Sequence, residues 1–333
     1  TDDLGDGEVI PPDHTLTFGI TERSFCAPDG PWIVDTVKQF RTLEQIADLD
    51  VRAVASDSDG NVWAGTSTGL ALKKGDQENF VNIEGIPGEG AISALQIVQK
   101  GSVRVARGQH TFVVDAEGAV SQNYVAEGEI SKLFSCRGSG LITVGEQLWR
   151  LGDPLEPMDI EYEGATLAIN DLVCTDLGML LATSDGLLLI SWDLNSQPSW
   201  LWNPGNVAFV AANSSIIAAV AGENNDQVAI FYGIGFQQKV VTPKPNELPT
   251  GGITSISVSP DDAWLALGHQ IGATRIPLKR EINVAAKDHF FSQRWLPDNT
   301  VNDVFEGADG TLWVATPAGL SALKTVERPL LDK

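Results

Sequence analysis

Several things are scarce in this chain, and each scarcity removes a class of function. Of 333 residues only three are cysteine, Cys26, Cys136 and Cys174. None stands in a metal-binding spacing such as C-x-x-C. Three cysteines allow one disulfide and leave one over, which excludes a disulfide framework. By residue type they suit buried small hydrophobes. Basic residues are half as many as acidic ones, 22 against 44, for a net charge of −22. Such a chain repels the phosphates of nucleic acid and anionic membrane surfaces. No apolar run approaches the ~18 residues that a membrane-spanning helix needs. There are four histidines, His14, His110, His269 and His289, and no pair has ligand spacing such as H-x-x-x-H. That argues against zinc and against a multi-histidine iron site. A nucleophile elbow, a phosphate loop and a dinucleotide fingerprint are also missing. Gly233-Ile234-Gly235 lacks a third glycine and a following helix.

What is present is a repeat. Val51 to Lys74, VRAVASDSDGNVWAGTSTGLALKK, returns without gaps as Val301 to Lys324, VNDVFEGADGTLWVATPAGLSALK. Asp59, Gly60, Trp63, Thr66, Gly69 and Leu70 fall on Asp309, Gly310, Trp313, Thr316, Gly319 and Leu320. Each copy reads as three short strands. A tight turn at Asp-Gly joins the first two, with Gly60 supplying a positive φ. A fourth strand follows near Phe80 to Ile83. Asp57-Ser58-Asp59-Gly60-Asn61 looks like the start of a calcium loop but lacks the later ligands, so turn chemistry explains it. Four antiparallel strands in roughly 40 to 50 residues make one propeller blade, which must stack on neighbours to bury its faces. Fainter copies begin at residues 92, 130, 169, 207 and 253. The expected fold is therefore an all-β, seven-bladed β-propeller of four-stranded antiparallel blades.

The two strong copies resemble the two-component-regulator propeller repeat. The resemblance rests on D-G-x-(L/V)-W-x-x-T-x-x-G-L at Asp59 to Leu70 and Asp309 to Leu320, and on the lead-in Leu296-Pro297-Asp298-Asn299. It implies a sensor-type propeller and speaks for fold more than for function.

The final copy has three strands and then only a short tail. Trp32 to Phe40 is expected to supply its fourth strand and close the ring. Residues 1–14, acidic and rich in Gly and Pro, read as a flexible tether. Residues 15–333 then form a single propeller domain, with a further strand-like run at Thr15 to Ile20. The chain begins at Thr1, which suggests an upstream segment removed. A tether of this composition behind a leader suits an exported or lipid-anchored protein, so an extracytoplasmic location is expected.

In a propeller the innermost strands begin at one mouth of the central channel, where several blades converge. The repeat register puts Arg52, Ser93, Ser131, Asn170, Ala208, Thr254 and Asn302 there. Next come Ala53, Ala94, Lys132, Asp171, Phe209, Ser255 and Asp303. Arg52, Ser93, Ser131, Asn170, Asp171, Thr254, Asn302 and Asp303 are the candidate ligand-binding residues. The pairs Asn170-Asp171 and Asn302-Asp303 resemble the Asn-Asp or Asn-Gly that opens inner strands in gluconolactonase-type propellers. That resemblance implies Ca²⁺ held by Asn170 and Asn302. The alternative is that Asn and Asp cap strand ends and satisfy backbone groups. His110 and His269 fall on second-to-third-strand loops of the same face.

A second candidate surface lies between Lys279 and Trp295, where Lys279, Arg280, Lys287, His289 and Arg294 stand beside Phe290, Phe291 and Trp295. The remaining tryptophans suit packing between blades, and Trp200 and Trp202 alternatively suit a contact surface. Two functions follow. One is an extracytoplasmic, monomeric, non-catalytic module that binds a small molecule or protein at the channel mouth. The other is a metal-assisted hydrolase, lactonase or lyase using Asn170, Asp171, Asn302 and Asp303 around a divalent ion.

Overall fold

The computed structural model describes residues 32–75, 77–193, 197–232, 237–241, 248–249, 251–278, 287–292 and 294–327. The tether, Thr15 to Ile20, His14, Cys26, Lys279 and Arg280 lie outside the described residues. The strands form seven four-stranded antiparallel sheets, with one two-stranded hairpin, Glu161–Tyr162 with Ala165–Thr166, between the third and fourth. The inner strands are Val51–Ser56, Ile92–Gln99, Ile130–Cys136, Ile169–Cys174, Val207–Ala212, Ile253–Val258 and Asp303–Glu306. Each neighbours the next, and the last neighbours the first, so the blades close a ring. The sequence register matches these starts; only the seventh strand begins two residues after Val301. Trp32–Phe40 pairs with Gly319–Glu327 as the outer strand of blade 7. That closure removes the open edges an incomplete ring would carry.

The repeat signature has a local cause. Thr66 Oγ1 donates to the carbonyl of Gly69 at 3.0 Å, and Thr183 and Thr316 do the same to Gly186 and Gly319 at 2.9 and 2.8 Å. This T-x-x-G turn joins the second strand to the third. Asp57 organises the preceding turn: its carboxylate accepts the backbone N–H of Asp59 and Asn61 and, across the blade boundary, that of Gly101. Turn chemistry is thus what the Asp57 to Asn61 stretch performs.

Second strands are buried on both faces because a blade lies on either side. Val62–Thr66, Ile216–Ala221 and Thr311–Thr316 are buried throughout. Close approach between blades needs small residues there. A Cβ on Gly65 would stand 2.7 Å or less from Ile92, which opens the next blade, and one on Gly268 would stand 2.7 Å from Val301. Trp63, Trp264 and Trp313 fill the wider gaps. Trp200 and Trp202 are half-buried, edge-on to Tyr162 and Phe231 at 5.2 and 6.4 Å, so they belong to the packing between blades. Cys136 and Cys174, at the far ends of the inner strands of blades 3 and 4, form a disulfide with Cα atoms 5.5 Å apart.

Candidate functional site

Five of the residues that open the inner strands, Arg52, Ser93, Ser131, Thr254 and Asn302, line one axial cavity of about 340 Å³, together with Lys132, Phe209 and Ser255. Seven of the eight candidate ligand-binding residues are among its walls; the exception is Asn170, whose amide turns to Asn206 and Val207. Most of their donors, however, point at the next blade. Ser93 Oγ donates to the carbonyl of Ile130 at 2.6 Å. Asn170 Nδ2 donates to that of Val207 at 2.7 Å, Thr254 Oγ1 to Val301 at 2.7 Å, and Asn302 Nδ2 to Val51 at 2.7 Å. In each case the acceptor is the first residue of the following blade. The next position completes the bond pair. Asp171 Oδ2 accepts the N–H of Val210 at 3.0 Å, and Asp303 Oδ2 accepts that of Val54 at 3.0 Å. Each Asn-Asp pair is therefore a two-point staple between adjacent inner strands, at blades 4–5 and 7–1.

The remaining carboxylate oxygens are also engaged. Asp171 Oδ1 lies 3.2 Å from Lys132 Nζ. Asp303 Oδ1 accepts Ser255 Oγ at 2.6 Å and the N–H of Val304 at 2.9 Å. Burial is the largest influence on Asp303 and lifts its pKa to about 6, against the pull of these hydrogen bonds. Lys132 is held between Asp171 and the ring of Phe209, 4.6 Å from its centroid. Arg52 is half exposed at the mouth and paired with Asp50 at 2.6 Å.

This donor set does not fit a calcium ion. Calcium takes six to eight oxygens, whereas Asn170 and Asn302 can offer one amide oxygen each, the carboxylate oxygens are occupied, and Lys132 puts a cation among them. Among the described residues no group of three or more His, Cys, Asp or Glu is arranged for a metal.

A larger groove, about 760 Å³, opens between blades 5 and 6 beside the channel. Glu223, Asn224, Asn225 and Asp226 form one wall, and Gly251, Gly252 and Gln270 the other. Phe209 and Thr254 line both groove and channel, so the two spaces adjoin. The groove residues were not among the sequence candidates. The second-to-third-strand loop of blade 5 and the glycine pair Gly251-Gly252 were the available signal.

Two buried polar clusters, one on blade 6 and one between blades 6 and 7, were also missed. His269 stands where the repeat has its turn threonine, and it is fully buried. Its Nε2 lies 2.9 Å from Thr274 Oγ1, which lies 3.0 Å from His289 Nδ1. His289 Nε2 lies 3.1 Å from the carbonyl of Ile271 and so carries the proton. Thr274 then donates to His289 and accepts from His269. Desolvation first, then the partner imidazole, takes His269 down to about 3; desolvation takes His289 down to about 4. The second cluster is an ion pair with both side chains fully buried. Arg275 Nε and Nη2 grip Glu306 at 2.8 and 2.7 Å, while the guanidinium stacks 4.1 Å from the centroid of Trp264. Burial raises the Glu306 pKa against the Coulombic pull of Arg275.

The described part of the second candidate surface is largely structural. Phe290 is buried, Trp295 packs on the same core cluster, and Arg294 covers Trp295 at 4.5 Å.

A closed ring of seven sheets around a polar channel defines a seven-bladed β-propeller. Two stretches, residues 45–68 and 296–318, in blades 1 and 7 and their lead-ins, match the family model of the two-component regulator propeller. No curated protein matches the sequence. Among solved structures, the extracellular domain of a putative hybrid two-component system from B. thetaiotaomicron is similar, at TM-score 0.67 and 14% identity. The match covers 86% of this chain and 39% of that one, so the chain spans well under half of its length. The Cps50 (Swd1) β-propeller domain of Myceliophteria thermophila has TM-score 0.67 and 9% identity, over 86% of this chain and 99% of that one. A streptogramin B lyase has TM-score 0.63 and 12% identity, over 89% and 99%. At such identities the likeness speaks for the fold alone.

Proposed function

We propose that this propeller is an extracytoplasmic, non-catalytic binding module that receives its ligand at the channel mouth. The observation that carries the reading is the continuity of the axial cavity with the blade 5–6 groove through Phe209 and Thr254. Together they make a concave polar site with one aromatic wall, of the kind that binds a polar small molecule or an inserted loop of a protein. The ring uses its Asn, Ser and Thr donors to hold itself together. Arg52 and Lys132, which pair with Asp50 and Asp171, and Phe209 are the groups that would meet a ligand.

Two observations support the location. Two stretches match the two-component regulator propeller model, and the extracellular domain of one such system shares the fold. The Cys136–Cys174 disulfide suits an oxidising compartment, since such bonds are rare where thiols are kept reduced.

The test is a thermal-shift screen of polar metabolites and short peptides on the whole chain. Hits are then repeated on Arg52→Ala, Lys132→Met and Phe209→Ala. Ligands that raise the melting temperature of the parent and lose the effect in Phe209→Ala and Lys132→Met support the reading. Hits indifferent to all three changes would place the ligand elsewhere and sink it.

A further inference from the structure

Blade 5 departs from the repeat on the channel-mouth face. Val207 pairs with Ala221 as Val51 pairs with Thr66, so the turn threonine is missing. The loop that follows, residues 222–226, runs five residues between Ile216–Ala221 and Gln227–Tyr232, where the other six blades use two or three. Insertions on one face of a repeat fold often carry its binding function. This one reads Gly222-Glu223-Asn224-Asn225-Asp226, and Glu223 to Asp226 form one wall of the groove between blades 5 and 6.

That wall is unpaired. Glu223 and Asp226 meet no cation and no hydrogen-bond donor among the described residues. The opposite wall, Gly251, Gly252 and Gln270, brings no Lys, Arg or His to neutralise them. Beside the carbonyl of Gly251 lies His269, fully buried on the strand face that Leu265 and Leu267 turn to blade 5. Its Nε2 proton goes to Thr274, which leaves Nδ1 an acceptor, and Nδ1 has no hydrogen bond. Burial and the neighbouring imidazole keep the ring uncharged. His269 is not itself a wall of the groove. It backs one side with an unmet acceptor, and two unmet carboxylates front the other.

Phe209 lines the groove on its channel side. The Lys132 ammonium lies 4.6 Å from the centroid of its ring, so positive charge already stands at the channel end. A ligand cation is turned by that charge toward Glu223 and Asp226. An aliphatic stem between the two ends packs on the ring.

We propose that the blade 5–6 groove binds an organic cation, an amine or guanidinium on an aliphatic stem, with Glu223 and Asp226 receiving the charged group and Phe209 the stem. The inference rests on the channel-mouth reading and names the ligand class of that site. Every contact residue is a wall of one groove. Glu223, Asn224 and Gln270 are exposed, so the groove is open as it stands. Carboxylates take a guanidinium as a fork and an ammonium as a point charge. The amide oxygens of Asn224 and Gln270 are neutral acceptors for the remaining N–H groups. Two sources carry this chemistry, a free polyamine and a basic side chain of a peptide.

The experiment uses the whole chain with agmatine, Nα-acetylarginine amide and, as the uncharged isostere, Nα-acetylcitrulline amide. Melting temperature and titration calorimetry are the readouts. The two cations should raise the melting temperature, and the citrulline amide should not. Tighter binding of agmatine assigns a free polyamine and tighter binding of acetylarginine amide a peptide side chain; either order supports the proposal. Glu223→Gln with Asp226→Asn should weaken binding by at least about tenfold, through lost charge-assisted hydrogen bonds. Glu127→Gln with Asp153→Asn, in the groove between blades 2 and 3, removes the same charge and should leave binding unmoved. Equal losses in the two double variants would mean general attraction to an acidic chain and overturn the proposal. So would an equal response to the citrulline amide, or no response to either cation at millimolar concentration. Uncharged ligands that need Phe209 and Lys132 but ignore the Glu223 and Asp226 changes would overturn the cation alone and leave the channel-mouth reading standing. Cation shifts that survive Phe209→Ala would overturn both.

Discussion

Replacing Asn302 by alanine tests whether the channel asparagines hold strands or an ion. In the structure Asn302 Nδ2 donates to the carbonyl of Val51 at 2.7 Å, and Val51 is fully buried. The substitution removes one hydrogen bond and strands a buried carbonyl, at a cost of about 1–3 kcal/mol. Unfolding entropy near 2.1 cal/mol/K per residue puts each kcal/mol at about 1.5 °C for a chain of this size. The melting temperature should therefore fall by about 2–4 °C. Asn170→Ala, which breaks the same bond to Val207, should cost about as much. The two sites lie at different blade interfaces and share no partner, so the double variant should show the sum within about 0.5 kcal/mol. Calcium should leave all three variants and the parent unmoved after chelator treatment. The assay is differential scanning calorimetry with and without millimolar calcium. If Asn302→Ala melts with the parent, or if calcium stabilises the parent but not the variant, the amide faces an ion and the staple argument fails.

Three further outcomes follow from buried polar groups. His269 and His289 have folded pKa values of about 3 and 4, below the ~6.5 of an unfolded histidine. Their contribution is complete above pH 6.5 and is lost as pH falls, by about 1.4 kcal/mol per unit for each. Asp303, raised to about 6, acts with the opposite sign and regains stability as pH falls through 6 toward 4. Urea unfolding between pH 6 and 4 should thus show a flatter acid loss for His269→Asn and a steeper one for Asp303→Asn, and parallel curves would refute the assignment. Removing Glu306 alone should cost about 3–5 kcal/mol, because Arg275 is left buried and unpaired, while Arg275→Met with Glu306→Leu should recover most of it; a double variant as unstable as the single would sink this. Reducing the Cys136–Cys174 disulfide, which spans 38 residues, should lower stability by up to about 4 kcal/mol on the chain-entropy account, measured as a melting shift with and without reductant.

What the sequence reveals about this molecule is what local chemistry encodes. The T-x-x-G turn, the Asp-Gly hairpin and the small residues of the second strands act within one blade, so their spacing survives in the chain and marks blade starts correctly. The ring of inner-strand openings is legible for the same reason, since register fixes which residues reach the axis. Partnership across blades is not legible. Lys132 meets Asp171 and Arg275 meets Glu306 only because neighbouring blades face each other at those heights. Nothing in residue spacing announces a pair 39 or 31 residues apart. One signal was available and went unread. His269 occupies a turn-threonine position and Arg104 a tryptophan position, and a polar or charged group at a repeat site built for packing marks a local change of purpose.

The same logic separates scaffold from site. A propeller must satisfy every inner-strand opening, and four of the seven do so by donating a side chain to the next blade. Those residues are polar because the ring requires it, and their polarity alone says nothing about a ligand. Residues that the ring does not need are more telling. Arg52 and Lys132 bring positive charge to the axis of an acidic chain, and Phe209 is an aromatic ring at a position where the preceding blade has Asp171. Arg104 is a buried charge with no carboxylate partner among the described residues. Binding energy is to be sought in groups that the ring does not need for its own closure, and the channel-mouth site is built from them.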